Sequence, residues 1–401
     1  MAKLEKGDSG YKRTIALIVA LGSAPPIATD LFLPALPQMT EVLNASESIV
    51  GFTLSGFFLF MAAGTLAFGP ISDKFGRKRP LLVAGLMFAI FGLLSGLVSN
   101  VWLLIAARVL QGIGGGGMVA ISMALVKDCF DGRTREKVLV IIQAMGVIAP
   151  MCAPLLGSII LTFADWRFTF FMQAFLGFAC LVLIVLTPEP LDESDRTTEG
   201  VVRSIGRLFV VGRNKAFLFI LLTVVIHGAP YMGYISCASY IYIDFFELST
   251  FQYSAFFAAN AALSVVGAGL ALVVSGRVQV KGILMAVFAV SLVAGVGLVV
   301  IGYASPFAFL ILFGTYALMG SVSRPFVMNI LLEQQDGDTG SASSLINFTF
   351  NIGGTFGMVL ATMPWPNYVM GLGVLVTVVS VVALVAWNVL LRSNIKIRGI
   401  E

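Results

Sequence analysis

Two ionisable residues interrupt long apolar stretches of this chain, and their types suit proton chemistry. Asp30 lies seven residues before Pro37, where the first apolar stretch ends, and Arg108 lies seven residues after Val101, where another begins. At 1.5 Å of rise per helical residue, each lies roughly 10 Å from the end of its helix. A charge inside hydrocarbon is costly and therefore marks a functional candidate. A carboxylate that gains and loses a proton beside an arginine that keeps its own would form a proton switch. A permanent ion pair, or an Asp30 that reaches water, would also explain both residues.

The composition places these residues in a membrane. Of the 401 residues, 58% are hydrophobic and only 11% are charged, whereas soluble proteins carry about 25% charged residues. The apolar runs are long enough for transmembrane helices of about 20 residues, and they lack the alternating strands of about 10 residues that build a β-barrel. The sequence therefore predicts an all-α polytopic membrane protein.

The elements that must position Asp30 and Arg108 are helices arranged in two halves. A polar stretch at 188–213 divides the chain into an N-terminal six-helix bundle at 1–187 and a C-terminal six-helix bundle at 214–401. Two similar halves joined by a linker are the layout of a rocking transporter. The predicted helices, numbered 1 to 12, are approximately 14–37, 47–70, 80–99, 101–126, 137–160, 166–187, 214–244, 252–275, 281–303, 306–332, 340–362 and 367–391.

The basic residues predict the orientation of these helices. Of the 25 Lys and Arg residues, 22 fall in the two tails, the central stretch and the loops after helices 2, 4 and 8. Cytoplasmic loops carry the excess of Lys and Arg in membrane proteins. We therefore expect both termini in the cytoplasm and an even number of spans.

The loop between helices 2 and 3 carries the most distinctive motif. Residues 69–79 read GPISDKFGRKR, with one acid and four bases. This pattern resembles the loop between helices 2 and 3 of the major facilitator superfamily, Gly-x-x-[Ser/Ala]-Asp-[Arg/Lys]-x-Gly-[Arg/Lys]-[Arg/Lys]. Gly69, Asp73, Gly76 and Arg77 occupy four of its positions. The resemblance implies a major facilitator fold, and we expect Arg77 to pair with Asp128 at the end of helix 4 in a network that biases the conformation.

Three further stretches resemble motifs of drug–proton antiporters. The run DLFLPALP from Asp30 is similar to one in the bicyclomycin/chloramphenicol (Bcr/CflA) branch, and RVLQG from Arg108 resembles the superfamily's helix 4 motif. Residues 146–158, GVIAPMCAPLLGS, resemble the antiporter motif of helix 5, with Ala153 and Ser158 in place of two glycines. The conformational candidates in this stretch are Pro150, Pro154 and Gly157.

This resemblance implies a proton-coupled exporter of lipophilic antibiotics such as phenicols or bicyclomycin, located in the bacterial inner membrane and working by alternating access. Proton coupling would fall to Asp30 and Arg108. We expect no cofactor beyond the proton gradient, no metal and no nucleic-acid partner. The expected partners of this monomer are protons, a small-molecule drug and the lipid bilayer.

Polar, aromatic and adaptable residues in mid-helix are candidates for lining a substrate cavity. His227, Tyr231 and Tyr234 follow a spacing that places them on one helical face. The alternative for each is a hydrogen bond between helices that only holds the bundle together. A cavity with so few charges would suit lipophilic compounds. The predicted substrate-binding residues are Asp30, Phe57, Met123, Gln143, Gly146, His227, Tyr231, Tyr234, Asn260, Asn347 and Asn351.

Other functions remain open at this stage. Export or symport of a sugar or another metabolite is the main alternative. A membrane-embedded enzyme is disfavoured, because the chain contains no HExxH or GxSxG motif and only one histidine, His227. A sensor that binds ligand without transporting it is a further alternative.

Overall fold

The computed structural model describes residues 3–4, 8, 10–197, 206, 212, 214–335, 339–393 and 397–399. Within these ranges every regular element is helical, and twelve helices are long and apolar enough to cross a membrane, which confirms the predicted fold class. The spanning helices are α1 (Tyr11–Asp30), α2 (Glu47–Phe75), α3 (Lys78–Leu97), α4 (Val101–Cys129), α5 (Gly132–Phe163), α6 (Arg167–Leu186), α7 (Lys215–Ser239), α8 (Thr250–Val274), α9 (Val280–Ile301), α10 (Pro306–Glu333), α11 (Thr339–Ala361) and α12 (Tyr368–Arg392).

The first span breaks at Asp30, where the sequence predicts an unbroken helix over 14–37. After α1 the chain makes a 3-10 turn at Leu33–Ala35 and a short helix at Leu36–Val42. Pro34 and Pro37 lie in the first turns of these two elements. Proline has no N–H group to donate and disfavours helical geometry at the preceding residue, so each proline starts a new element. Asp30 is consequently the last residue of α1.

Short polar side chains begin several of the helices. Asn100 accepts hydrogen bonds from the backbone N–H groups of Trp102 and Leu103 at 2.9 and 3.3 Å. This cap separates α3 from α4 where the apolar sequence is almost continuous. Ser249 and Gln252 form a reciprocal capping box at the start of α8. The helix boundaries therefore depend on single loop residues.

Glycines on α4 bring its neighbours close. A Cβ added at Gly112 or Gly116 would overlap the carbonyl oxygen of Phe57 or Met61 on α2. Small residues of this kind let membrane helices pack backbone to backbone. Neighbouring helices thus occupy the space beside the glycine-rich run of α4.

The described chain forms two compact units, Met1–Ile205 and Gly206–Glu401. The boundary falls inside the predicted linker at 188–213, most of which lies outside the described residues. Each unit has its own apolar core. The first core includes Phe57, Phe88 and Met118, and the second includes Phe217, Phe288 and Trp387.

Candidate functional site

Arg108 is the most deeply enclosed charge of the first unit. Its side chain on α4 is 0% exposed. Its Nε donates to the backbone oxygen of Thr53 at 3.2 Å, and its Nη1 donates to the amide oxygens of Gln111 at 2.7 Å and Gln173 at 3.0 Å. These bonds come from α2, α4 and α6. The guanidinium is therefore held by neutral oxygens from three helices.

Three aromatic rings surround the same guanidinium. Its central carbon lies 4.3 Å from the ring centre of Phe57, 4.8 Å from that of Phe32 and 5.6 Å from that of Phe170. Cations over aromatic faces gain about 2 kcal/mol or more when desolvated. The predicted substrate residue Phe57 is itself 0% exposed and packs against Arg108. Its observed role is to enclose the arginine.

Asp30 lies beside this cluster without pairing with Arg108. Phe32, two residues after Asp30, contacts the guanidinium, so the two charged residues share one region of the bundle. Among the described residues no carboxylate lies within 4.0 Å of Arg108, and the permanent ion pair considered from the sequence is absent. Asp30 is 4% exposed and accepts a hydrogen bond from Thr29 Oγ1 at 3.2 Å.

Helix α5 packs directly on the break that follows Asp30. A Cβ at Gly157 would overlap the carbonyl oxygen of Leu31 and lie 3.4 Å from Cγ of Pro34. Pro150 and Pro154 lie within α5, which is continuous from Gly132 to Phe163. The small residue at position 157 thus allows α5 to support the turn that positions the Asp30 carboxylate.

The loop between α2 and α3 is held by a network centred on Arg77. Its Nε donates to Asp128 at 2.7 Å, as the sequence predicts, and its Nη1 donates to Ser72 at 2.7 Å and also to Asp73. Burial lowers the pKa of Arg77, but the hydrogen bond and negative charge of Asp128 raise it more, and the net pKa lies above its ordinary value. The guanidinium stays charged. The remaining motif glycine, Gly69, accepts a hydrogen bond from Ser72 at its carbonyl.

Glu189 completes this network and was missed by the sequence reasoning. Its carboxylate accepts the backbone N–H groups of Arg77 at 2.7 Å and Lys78 at 2.8 Å, where α3 begins. A carboxylate at a helix N-terminus is stabilised by the helix dipole. Gly76 has φ +86°, and a Cβ there would lie 2.9 Å from Glu189 Oε2. The sequence contained one signal for the role of Glu189, because this acid directly follows helix 6 and lies between two prolines.

The other predicted cavity residues divide into exposed and enclosed groups. Asn347 on α11 is exposed and Asn351, one turn later, is half-buried; their Nδ2 atoms donate to the carbonyls of Ser343 and Asn347, each at 2.9 Å. Polar faces of membrane helices line water or protein, because hydrocarbon offers them no partners. This face of α11 can therefore meet a substrate from water. The other exposed or half-buried candidates are Met123, Gln143, Gly146 and Tyr231.

The enclosed candidates of the second unit lie in an aromatic cluster. Tyr234 is 2% exposed and its ring stacks on Phe313 at 4.4 Å and Phe257 at 5.6 Å between ring centres. His227, also 2% exposed, lies 4.9 Å from Phe288 and 5.4 Å from Tyr316. The two phenylalanines around Tyr234 were not predicted, since many phenylalanines occur in these helices.

Asn260 on α8 stands out within the second unit. Its side chain is 1% exposed, and neither its amide oxygen nor its amide nitrogen has a hydrogen-bond partner among the described residues. A buried amide without partners costs roughly 1–3 kcal/mol. Such a group needs an explanation in function or in packing.

The family model of the Major Facilitator Superfamily matches residues 26–358, from just before Asp30 to the last turn of α11. The chain belongs to this superfamily. It is a multi-pass membrane transporter, and the two six-helix units, the Arg77 network and the Arg108 cluster are parts of a major facilitator protein.

Curated major facilitator relatives carry names from drug resistance. The chain is 25% identical to the bicyclomycin resistance protein homolog of Haemophilus influenzae over 400 residues, 97% of this chain and 99% of that protein. It is 31% identical to the multidrug resistance protein MdtL of Escherichia coli over 190 residues, 46% of this chain and 49% of MdtL. It is 29% identical to the MFS-type transporter YdgK of Bacillus subtilis over 84% of this chain and 85% of YdgK. The first two of these relatives agree with the Bcr/CflA resemblance.

Solved structures of other major facilitator proteins share the fold. A D-xylose–proton symporter aligns with a TM-score of 0.75 over 96% of this chain and 98% of its own, at 16% identity. The nucleoside transporter NupG aligns with a TM-score of 0.75 over 94% of this chain and 99% of its own, at 12% identity. At these identities the likeness concerns the fold alone.

Proposed function

We propose that this transporter exports lipophilic antibacterial compounds across the bacterial inner membrane in exchange for protons, with both termini in the cytoplasm. The observation that carries the proposal is the environment of the Asp30 side chain. Its carboxylate is buried at a helix break, holds a hydrogen bond from a neighbouring hydroxyl, and lies near an arginine to which it is not bonded. The drug-resistance names of two relatives support the substrate class.

Asp30 changes its interactions when it changes its protonation. As an anion in a low-dielectric region it attracts Arg108 or a donor group of the substrate; as a neutral acid it loses that attraction. Inward proton flow therefore protonates Asp30, releases substrate to the outside and favours the return of the empty transporter. A guanidinium keeps its proton far more firmly than a carboxylic acid, so Arg108 supplies the fixed positive charge beside Asp30.

The conformational change requires that the end of the first unit at the α2–α3 loop remains rigid. Arg77, Asp128 and Glu189 tie the α2–α3 loop to α4 and to the start of the linker. Contacts of this kind bias one state over another by about 1–3 kcal/mol when they are made in only one of them. Substrate contacts are assigned to the exposed and half-buried candidates, Met123, Gln143, Gly146, Tyr231, Asn347 and Asn351, and to Asn260, whose amide lacks a partner.

Transport by purified protein in liposomes with a pH-sensitive dye inside tests this proposal. A panel containing bicyclomycin, a phenicol and D-xylose is offered under an imposed pH gradient. We expect proton movement with the antibiotics and none with the sugar. Sugar-driven proton movement in the direction of the sugar would favour the symport alternative instead.

The Asp30→Asn variant tests the proton carrier in the same liposomes. We expect drug binding to weaken, because a neutral amide lacks the attraction of the anion, and gradient-driven export to fall to background, because an amide cannot exchange a proton. Asp165→Asn is the matched control, since Asp165 is exposed beside Arg167 at the start of α6. Full export against a gradient by the Asp30→Asn protein, with proton exchange intact, would refute the role of Asp30.

A further inference from the structure

A groove of about 420 Å³ lies at one end of the second unit, between the end of α8, the α8–α9 loop and α10. Arg277, Gln279 and Asn329 form its polar part. Leu272 and Val278 form an apolar part and are 80% and 52% exposed. The groove therefore combines one cation, hydrogen-bonding groups and an apolar edge at the boundary of the membrane-spanning region.

The charge of this region is unbalanced. Between Glu247 and Glu333 the sequence contains three bases, Arg277, Lys281 and Arg324, and no acid. None of the three bases has an ion pair within 4.0 Å among the residues that the structure describes. The first acid after them, Glu333, accepts a hydrogen bond from Asn329 Nδ2 at 2.7 Å. Arg277 thus presents an uncompensated positive charge in the groove.

The α8–α9 loop of the second unit corresponds to the α2–α3 loop of the first unit but contains no acid. Both loops contain a glycine with positive φ, +86° at Gly76 and +74° at Gly276, followed directly by an arginine. In the first unit that arginine, Arg77, is buried and bonded to Asp73 and Asp128. In the second unit Arg277 is exposed and its loop carries no acid. The α8–α9 loop keeps the cation and the turn but lacks the internal anion.

We propose that the groove binds the headgroup of an anionic phospholipid, with Arg277 on the phosphate and an acyl chain along Leu272 and Val278. A bilayer supplies this anion at the depth where spanning helices end, and basic pockets between membrane helices bind such headgroups. A soluble anion would contact only the cation, whereas a lipid also places an acyl chain on the exposed apolar edge beside it. None of the groove residues belongs to the residues proposed for substrate or proton binding.

Native mass spectrometry of the purified full chain tests the proposal. The probes are phosphatidylglycerol, phosphatidylcholine with the same acyl chains, and inorganic phosphate as a competitor. We expect tighter binding of phosphatidylglycerol, and an affinity about fivefold lower in Arg277→Gln, because one basic residue near a membrane surface contributes about this much. Arg277→Lys should restore part of the loss.

Arg79→Gln is the matched control, because Arg79 is also exposed and lies in the first turn of α3, outside the groove. Its affinity for phosphatidylglycerol should match that of the unaltered chain, and both glutamine variants should unfold at the same temperature. Equal binding of the two lipids would overturn the proposal. So would an undiminished affinity in Arg277→Gln, or displacement of phosphatidylglycerol by an equal concentration of inorganic phosphate.

Discussion

The two units differ in the kind of side chain that they bury. Three charged side chains are buried in the described part of the first unit, namely Asp30, Arg77 and Arg108, at 4%, 6% and 0% exposure. In the second unit no Asp, Glu, Lys or Arg is buried among the residues that the structure describes, and stacked aromatic rings occupy the corresponding interior. Among the described residues, buried charge is therefore confined to the first unit, and stacked aromatic rings fill part of the interior of the second.

Under the proposed function, this difference separates proton coupling from part of substrate recognition. Buried charges interact strongly because the local dielectric is low, and a change in protonation alters their contacts by several kcal/mol. Aromatic and amide groups recognise varied apolar compounds without such a change. We expect variants of the buried charges in the first unit to alter proton coupling, and variants of the aromatic and amide groups in the second to alter affinity.

The largest effect is expected from Arg108→Ala, which removes the centre of the first unit's cluster. The change leaves the amides of Gln111 and Gln173 without their cation and opens a cavity between three aromatic rings. We expect the free energy of unfolding in detergent, measured by denaturant titration, to fall by about 3–5 kcal/mol. Transport should be lost as well.

Two further variants sharpen this result. Arg108→Lys keeps the charge but not the planar fork, so it should recover only part of the stability. Arg324→Ala in the second unit removes an exposed arginine and should change stability by no more than about 0.5 kcal/mol. Equal losses for Arg108→Ala and Arg324→Ala would mean that the two units do not differ in their use of charge.

The sequence predicts the helices well and the side-chain contacts between them less well. Hydropathy and charge bias are local patterns, and they locate all twelve spans and the loop motif with Arg77. The Arg77–Asp128 contact is also predicted, because both residues fall at the same ends of adjacent helices. Gln173 and Glu189 are not predicted, since each acquires its role from residues more than sixty positions away.

The failed expectation at helix 1 has a physical origin. Apolar content is continuous through Asp30 to Pro37, so hydropathy indicates one helix. The break results from two prolines, and the packing of Gly157 against Leu31 supports it from outside the segment. The helix-end position of Asp30 thus depends on the two prolines and on packing against α5, and hydropathy reports neither.

Glycine packing is where the two units are expected to agree. Gly157→Ala places a Cβ against the carbonyl of Leu31, and Gly357→Ala places one against the carbonyl of Ala229. Backbone atoms cannot rotate away, so each variant should lower the free energy of unfolding by about 1–3 kcal/mol. Gly146→Ala, on the same helix as Gly157, meets no atom within 4 Å and should be neutral or stabilising. A neutral Gly157→Ala would show that α5 does not support the Asp30 break.

A modest effect of opposite sign, a gain in stability, is expected from Asn260→Leu in the second unit. The buried amide has no partner among the described residues, so an apolar side chain of similar size removes an uncompensated polar group. The free energy of unfolding should rise by about 1 kcal/mol, while the affinity for an exported drug, measured by equilibrium binding, falls. Asn347→Leu is the control, because that amide is exposed and already bonded to the carbonyl of Ser343, and the same change there should not stabilise the protein. A lower stability with unchanged drug affinity in Asn260→Leu would instead identify Asn260 as a packing residue and remove it from the substrate site.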